Sequence, residues 1–186
     1  MQRLTFKDLK KRVSLELTQQ ESILFERLKN KPFWIWNIEE HKQEDIKTNG
    51  DCCFNHIIGL PQMDGNDKPL YDYEKIIFDS LVTRNDNKKH LWIKKATGLG
   101  VSEFMLRFMA WLCLKDNSLS DSQMCIVTGP RIDLAIALID RMKKQLFSNS
   151  KGIAAAFDTK ETVIELNGVK IEAFPSHHLA NECYSY

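Results

Sequence analysis

An α/β fold with a parallel sheet and flanking helices is predicted by three features of this sequence. Two short apolar runs, 90–93 and 124–128, are each followed by a segment with helical apolar periodicity, at 101–114 and 133–147. Successive strand and helix units of this kind form parallel strands joined by right-handed crossovers. Further along, Asn167-Gly168 separates two β-rich segments, which is typical of a tight hairpin turn.

The composition is that of a globular protein. Of the 186 residues 43% are hydrophobic and 27% charged, a balance that allows a substantial core. Lys and Arg number 26 against 25 Asp and Glu, so DNA contact would require a local basic patch. The longest apolar stretch, 104–114, contains Arg107 and is too short to span a bilayer. A cytoplasmic protein without membrane contact is expected.

The cysteines favour a reducing compartment. There are five, none in a C-x-x-C pair. Cys113 and Cys125 stand in apolar runs and are predicted to be small core residues. Cys52, Cys53 and His56 lie close together, but their spacing is not that of a zinc knuckle and a second ligand pair is missing. The sequence therefore predicts no metal site there.

A helical segment over residues 1–45 is predicted to precede the domain at 46–186. Apolar residues recur at helical spacing over 4–30, and Pro32 ends this helix. The polar stretch 37–51 is predicted to be a connection. Nearer the first strand, a helix is predicted over 71–81 and a charged loop over 84–89.

The glycine-rich segment 94–102 has the properties of a phosphate-binding loop. It follows a predicted strand and opens a predicted helix, whose N-terminus favours anions. Gly98 and Gly100 allow backbone N–H groups to curl around an anion. The usual pattern is G-x-x-x-x-G-K-[ST], and this loop departs from it: Lys95 takes the first-glycine position and Val101 the lysine position. A lysine at the other end of the loop can still reach phosphates through its flexible stem.

This arrangement resembles the displaced-lysine Walker A loop of phage terminase large subunits, the ATPases that package DNA into capsids. Residues 95–102 match that loop residue by residue. Upstream, 71–74 resembles the segment that these P-loop NTPases place around adenine, although Asp72 replaces its proline and Glu74 its glutamine. Downstream, 125–131 and 171–176 resemble the second-strand motif and the strand and turn before Walker B. The resemblance covers roughly residues 50 to 180.

The resemblance implies ATP and Mg²⁺ as cofactors. Lys95 would neutralise the phosphates, Ser102 would ligate Mg²⁺, and Tyr71 or Tyr73 would lie against adenine. Lys94 is an alternative to Lys95, but the alignment favours Lys95. The implied nucleotide-binding residues are Lys95, Ala96, Thr97, Gly98, Leu99, Gly100, Val101, Ser102, Tyr71 and Tyr73. The implied partners are ATP, double-stranded DNA and further protein subunits of a packaging motor.

The hydrolytic carboxylates of the family are not found in this sequence. An apolar strand ending in Asp-Glu should follow Pro175-Ser176, and no such strand precedes Glu182. The sequence is therefore expected to be an incomplete P-loop NTPase, truncated before Walker B. Two alternatives to a packaging ATPase stay open: a nucleotide-binding or interaction module without turnover, and a fragment of a helicase- or restriction-type DNA translocase.

Overall fold

The computed structural model of the chain describes residues 23–59, 70–86, 90–147 and 162–176. These residues form a mixed α/β structure with one three-stranded sheet. The helices are α1 (23–28), α2 (Ile38–Thr48), α3 (Phe54–Ile58), α4 (Asp72–Asp86), α5 (Val101–Leu114) and α6 (Asp133–Phe147). The strands are β1 (Gln123–Val127), β2 (Val163–Leu166) and β3 (Val169–Phe174). None of the helices in these ranges combines the length and the apolar character needed to cross a membrane.

The sheet has the order β1-β3-β2, with β1 parallel to β3 and β2 antiparallel to β3. Its register places apolar residues opposite one another, as in the pairs Ile126–Ala173 and Ile164–Ile171. All four side chains are buried, and α6 packs against the sheet while α5 packs against β2 and α6. The expected α/β class is confirmed. The parallel sheet is only partial in the described residues, and its two strands are β1 and β3 instead of the predicted 90–93 and 124–128.

The predicted hairpin is confirmed, and its turn is bonded to the end of α5. Asn167 and Gly168 both have positive φ, 50° and 76°, as the tight turn requires. The Asn167 side-chain amide donates to the carbonyl oxygens of Cys113 and Asp116 at 3.0 and 3.1 Å. The bond to Cys113 satisfies a carbonyl that the end of a helix leaves unpaired, and the bond to Asp116 holds the chain just beyond the helix.

Replacing Asn167 with aspartate is expected to lower the free energy of unfolding by about 1–3 kcal/mol. Aspartate tolerates positive φ, so the turn itself is preserved. The carboxylate cannot donate, however, and it would face the negative end of the α5 dipole. Chemical denaturation measures the loss. Asn117→Asp is the control. The Oδ1 atom of Asn117 accepts from the Asn167 side chain at 3.1 Å, and aspartate keeps an oxygen in that position. Equal losses in both variants would contradict the role of the donated bonds.

The helices that follow residue 70 agree with their apolar periodicity. Helices α5 and α6 have the bounds that the sequence predicts. Helix α4 begins one residue after the predicted start and continues to Asp86, beyond the predicted end at 81. The charged loop predicted for 84–89 is therefore wrong at 84–86, because polar and charged residues do not by themselves break a helix as Gly and Pro do. Residues 87–89 lie outside the described part.

The N-terminal segment contributes to the main core. Leu24 and Leu28 of α1 are buried, in agreement with the predicted helix over 4–30, of which residues 4–22 lie outside the described residues. The helix ends before Pro32, as predicted. Phe33 then inserts into an aromatic cluster, completed by Phe78, Phe104, Phe108 and Trp111.

Three further local predictions are wrong. Residues 90–93 do not form a strand, and Trp92 is 93% exposed, because no described segment pairs with their backbone. The polar stretch 37–51 is not a simple connection, since it contains α2, capped by the Asn37 side chain. Cys113 is buried as predicted, but Cys125 is exposed because strand alternation turns it away from the helices.

Candidate nucleotide-binding site

The glycine-rich loop is an exposed segment that leads directly into α5. Gly98 and Gly100 have φ values of 85° and 69°, in the left-handed region that favours glycine. A Cβ atom built on either glycine would meet no other atom within 4 Å. Backbone conformation, and not crowding, therefore requires glycine here, and the space around the loop is open to a ligand.

The first turn of α5 presents unpaired backbone donors to this open space. Gly100 is the N-cap residue, and its carbonyl oxygen accepts from the N–H of Phe104 at 3.0 Å. No side chain caps this end of the helix. The N–H groups of the first turn have no intrahelical partner, and the 14-residue helix adds a partial positive charge. Both properties favour an anion such as phosphate.

All but one of the predicted loop residues are exposed. The exposed ones are Lys95, Ala96, Thr97, Gly98, Leu99, Gly100 and Ser102. Val101 is buried, so the residue in the usual lysine position packs inward and cannot contact phosphate through its side chain. Ser102 lies in the first turn of α5. Lys94 is exposed as well, so accessibility does not distinguish it from Lys95.

The two tyrosines of the predicted adenine segment lie beside the loop. The hydroxyl of Tyr73 donates to the carbonyl oxygen of Leu99 at 2.7 Å. The ring of Tyr71 stacks on that of Tyr73, with centroids 5.5 Å apart and planes 11° apart. Burial, followed by the neighbouring Glu74 carboxylate, raises the pKa of Tyr73, which keeps its hydroxyl protonated as a donor. The structure therefore brings together two segments that are 26 residues apart in sequence.

Glu74 is directed into the protein. One of its carboxylate oxygens accepts from the backbone N–H of Tyr71 at 2.9 Å, and the other lies 3.3 Å from the Arg107 guanidinium. Both side chains of the ion pair are 4% exposed, so neither reaches a ligand in the open space. Burial raises the pKa of Glu74 and lowers that of Arg107. Sequence reasoning missed this pair, because an arginine in the apolar run 104–114 gave no indication of its partner.

The C-terminal end of helix α5 lies beside the hairpin turn that leads into β3, because the Asn167 side chain donates to the carbonyl oxygen of Cys113. The glycine-rich loop lies at the other end of this 14-residue helix. At the carboxyl ends of β1 and β3, the N–H of Ser176 donates to the carbonyl oxygen of Gly129 at 3.3 Å. Open α/β sheets bind their ligands at such carboxyl ends, and the hairpin turn lies at the opposite end of β3.

Comparison with known proteins identifies no relative of this chain. No protein-family model matches the chain, and searches of curated proteins and of solved structures found no significant match. The fold and the site define a mixed α/β protein with a glycine-rich loop at the N-terminus of a helix. Functional assignment depends on these residues and their geometry.

Proposed function

We propose that this chain carries the ATP- and Mg²⁺-binding part of a terminase-like DNA-packaging motor, with residues 95–102 holding the phosphates. The hydrogen bond between the Tyr73 hydroxyl and the Leu99 carbonyl is the main observation in favour. It joins the two segments that would contact opposite ends of one nucleotide, adenine at the tyrosines and phosphate at the loop. Their proximity does not follow from their separate positions in the sequence.

The loop offers phosphate the interactions that it needs. Two glycines in left-handed conformation orient backbone N–H groups, and α5 adds its unpaired first-turn donors. The one carboxylate in that turn, Glu103, lies 3.7 Å from the Arg141 guanidinium. This pairing with α6 reduces its repulsion of a bound phosphate.

Charge neutralisation and metal binding are assigned to two exposed residues. Lys95 contributes a point charge on a flexible stem at the start of the loop. Ser102 contributes a hydroxyl oxygen, a ligand type that suits Mg²⁺. Since Mg²⁺ keeps several waters and takes further ligands from the phosphates, one protein hydroxyl is compatible with its binding.

A nucleotide-binding module without turnover is the second candidate, and one observation favours it. The described residues at the carboxyl ends of β1 and β3, 127–130 and 174–176, include no carboxylate. The first acidic residue after β1, Asp133, accepts from Arg131 at 2.8 Å. Hydrolysis of ATP requires a group that positions the attacking water. Within the described ranges that group is not found at this end of the sheet.

Replacing Lys95 with alanine is expected to weaken binding of a fluorescent ATP analogue, in the presence of Mg²⁺, by about 10- to 100-fold. The lost interaction is a charge-assisted contact with phosphate, worth about 1.5–3 kcal/mol. Lys94→Ala is the matched control, since it removes the same charge from the neighbouring position and should weaken binding little. Titration followed by fluorescence anisotropy measures both affinities.

Three outcomes separate the hypotheses. Unchanged affinity in Lys95→Ala would overturn its assigned role, and a loss confined to Lys94→Ala would transfer that role to Lys94. Failure of the wild-type chain to bind the analogue would overturn the proposed function. Phosphate release, assayed in parallel, distinguishes the two candidates, because binding without release favours the module without turnover.

A further inference from the structure

Helix α2 lacks the apolar contacts that normally hold a helix to a protein. None of its 11 residues is buried, and Ile46 is 82% exposed. Helices in globular proteins obtain most of their stability from packing an apolar face. The contacts of α2 with the rest of the protein include a group of polar and sulfur-containing side chains, which we call the His/Cys cluster: His41, Asp45, Cys52, Cys53 and His56.

The His/Cys cluster is assembled from three segments. His41 and Asp45 stand one turn apart on the same side of α2. Cys52 lies in the turn that follows the helix, and His56 lies on α3. The helix ends in two residues with positive φ, Asn49 and Gly50, which reverse the chain and bring Cys52 back against His41. The second ligand pair that the sequence lacked around Cys52 is thus supplied by α2.

Two pairs of atoms in the His/Cys cluster are spaced as ligands of one metal ion. Nε2 of His41 lies 3.7 Å from Sγ of Cys52, and Nε2 of His56 lies 3.2 Å from Oδ1 of Asp45. Tetrahedral Zn²⁺, with bonds of about 2.3 Å to sulfur and about 2.0–2.1 Å to nitrogen or oxygen, places S and N about 3.6 Å apart and N and O about 3.4 Å apart. The candidate ligand atoms form two triads that share Cys52, one with His41 and Cys53 and one with Asp45 and His56, each within 4.8 Å. One ion bound by His41 and by the second triad therefore requires the His41 imidazole to move toward Asp45 and His56.

The cluster also contains buried polar atoms without hydrogen-bond partners among the described residues. Oδ1 of Asp45 is one, because its approach to the His56 ring is close but not aligned as a hydrogen bond. Nδ1 of His41 and of His56 are the others. A buried polar atom left unpaired costs about 1–3 kcal/mol, so the Asp45 oxygen calls for a further partner. Coordination of a cation would satisfy this oxygen, whereas an ion bound through Nε2 leaves the Nδ1 atoms of both imidazoles as they are.

We propose that His41, Asp45, Cys52 and His56 bind one Zn²⁺ ion that fastens α2 to α3. Imidazole nitrogen, thiolate and carboxylate are the ligands that Zn²⁺ takes in proteins, and four protein ligands leave no open position for substrate. The site is therefore structural. It is separate from the glycine-rich loop and does not depend on the proposed nucleotide-binding function. Cys53, with its sulfur 3.6 Å from that of Cys52, is adjacent to the ion but is not one of the four ligands.

The full chain, stripped of metal with a chelator and then titrated with Zn²⁺ against a chromophoric competitor, is expected to bind one ion. Co²⁺ added in place of Zn²⁺ should give the absorption of a tetrahedral site with a thiolate charge-transfer band. Cys52→Ser and Asp45→Asn should each weaken Zn²⁺ binding by at least about tenfold. Zn²⁺ should also raise the melting temperature of the wild type, because binding to the folded chain alone stabilises it.

Two exposed residues outside the cluster provide matched controls. Cys125→Ser and His90→Gln remove the same chemical groups from the surface and should leave Zn²⁺ affinity unchanged. Asp45→Asn is nearly isosteric, and its circular dichroism should match that of the wild type, which separates loss of a ligand from loss of the fold.

The proposal fails if the wild-type chain binds no Zn²⁺, or if Cys52→Ser binds it as tightly as the wild type. Loss of affinity in Cys53→Ser together with retention in Asp45→Asn would overturn the assignment of Asp45 and make Cys53 the fourth ligand. A Co²⁺ spectrum without a thiolate band would exclude Cys52. Binding of ATP plays no part in these measurements, so either proposal can fail while the other stands.

Discussion

Replacing Phe33 with alanine is expected to lower the free energy of unfolding by about 3–5 kcal/mol. The Phe33 ring is 1% exposed and stacks on Phe78 at a centroid distance of 5.1 Å. It also meets the rings of Phe104, Phe108 and Trp111 edge-on, at 5.5, 6.0 and 5.6 Å. Alanine would leave a cavity in the centre of this aromatic cluster. Such a loss is a large part of the roughly 5–15 kcal/mol that stabilises a typical protein.

The backbone around Phe33 gives the cavity little freedom to collapse. The carbonyl oxygen of Phe33 accepts from the buried side-chain amide of Asn55 at 2.8 Å. The preceding carbonyl oxygen, that of Pro32, accepts from the backbone N–H of Phe54 at 2.9 Å. The ring N–H of Trp111 donates to the backbone carbonyl oxygen of Lys31 at 3.0 Å. Because these bonds fix the segment on both sides, the loss should lie in the upper half of the stated range.

Denaturation of Phe33→Ala and Trp92→Ala, followed by circular dichroism, checks this prediction. Trp92 is 93% exposed, so its removal should change the free energy of unfolding by less than about 0.5 kcal/mol. A loss at Trp92 as large as that at Phe33 would show that residues 90–93 are packed against the sheet, and would restore the strand that the sequence predicts there.

Replacing Arg107 with methionine is expected to lower the free energy of unfolding by about 3–5 kcal/mol. The change leaves the Glu74 carboxylate buried without its cation, while methionine preserves most of the volume. Replacing Glu74 with leucine should cost a similar amount, since it strands the guanidinium and also removes the acceptor for the Tyr71 N–H. Burial is the largest influence on the pKa of both side chains, raising that of Glu74 and lowering that of Arg107. Both shifts favour the neutral form, so an isolated charge is unfavourable at this site.

The double variant Glu74→Leu/Arg107→Met should be more stable than either single variant. Neither charge then remains buried, and replacing a buried ion pair with apolar residues is often neutral or stabilising. A residual loss of about 1 kcal/mol is expected from the Tyr71 N–H, which no longer has an acceptor. Losses that simply add in the double variant would contradict direct coupling of the pair.

An exposed ion pair on α4, the helix that carries Glu74, provides the control. Lys75 and Asp79 lie 2.7 Å apart on α4, and both are about half exposed. Water screens such a pair, so Asp79→Asn should cost less than about 1 kcal/mol. The contrast between the two pairs tests whether burial determines the effect. A large loss in Asp79→Asn would argue for a structural role of Asp79 that its exposure does not indicate.

The glycine-rich loop could be predicted from sequence because its requirements are local. Glycines at 98 and 100, placed just before an apolar helix, indicate a turn that opens that helix, and the structure gives both a positive φ. The contact between Tyr73 and Leu99 was not predicted. The resemblance implies only that both residues bind one nucleotide, and nothing in the 25 intervening residues specifies the contact. The strand predicted before the loop, at 90–93, is wrong for a related reason: a strand needs a neighbour, and apolar character alone does not provide one.

The His/Cys cluster illustrates the opposite case. The spacing of Cys52, Cys53 and His56 gave no reason to expect a metal, because sequence patterns recognise ligand pairs only at familiar intervals. The sequence of α2 has no apolar periodicity and therefore predicts a connection, although Asn37 and the acidic residues after it form a good helix start. Only when this helix forms and the chain reverses after it do His41 and Asp45 reach the cysteines.

The sequence by itself determined the elements whose causes are local: α5 and α6 from their apolar periodicity, and the hairpin from Asn167-Gly168. Tertiary structure alone decided which elements pair, which charges are buried together, and which distant side chains meet. The physical reason is that periodicity and turn preferences act over a few residues. Strand pairing, the Glu74–Arg107 ion pair and the His/Cys cluster depend on chain segments that become neighbours only when the whole core forms.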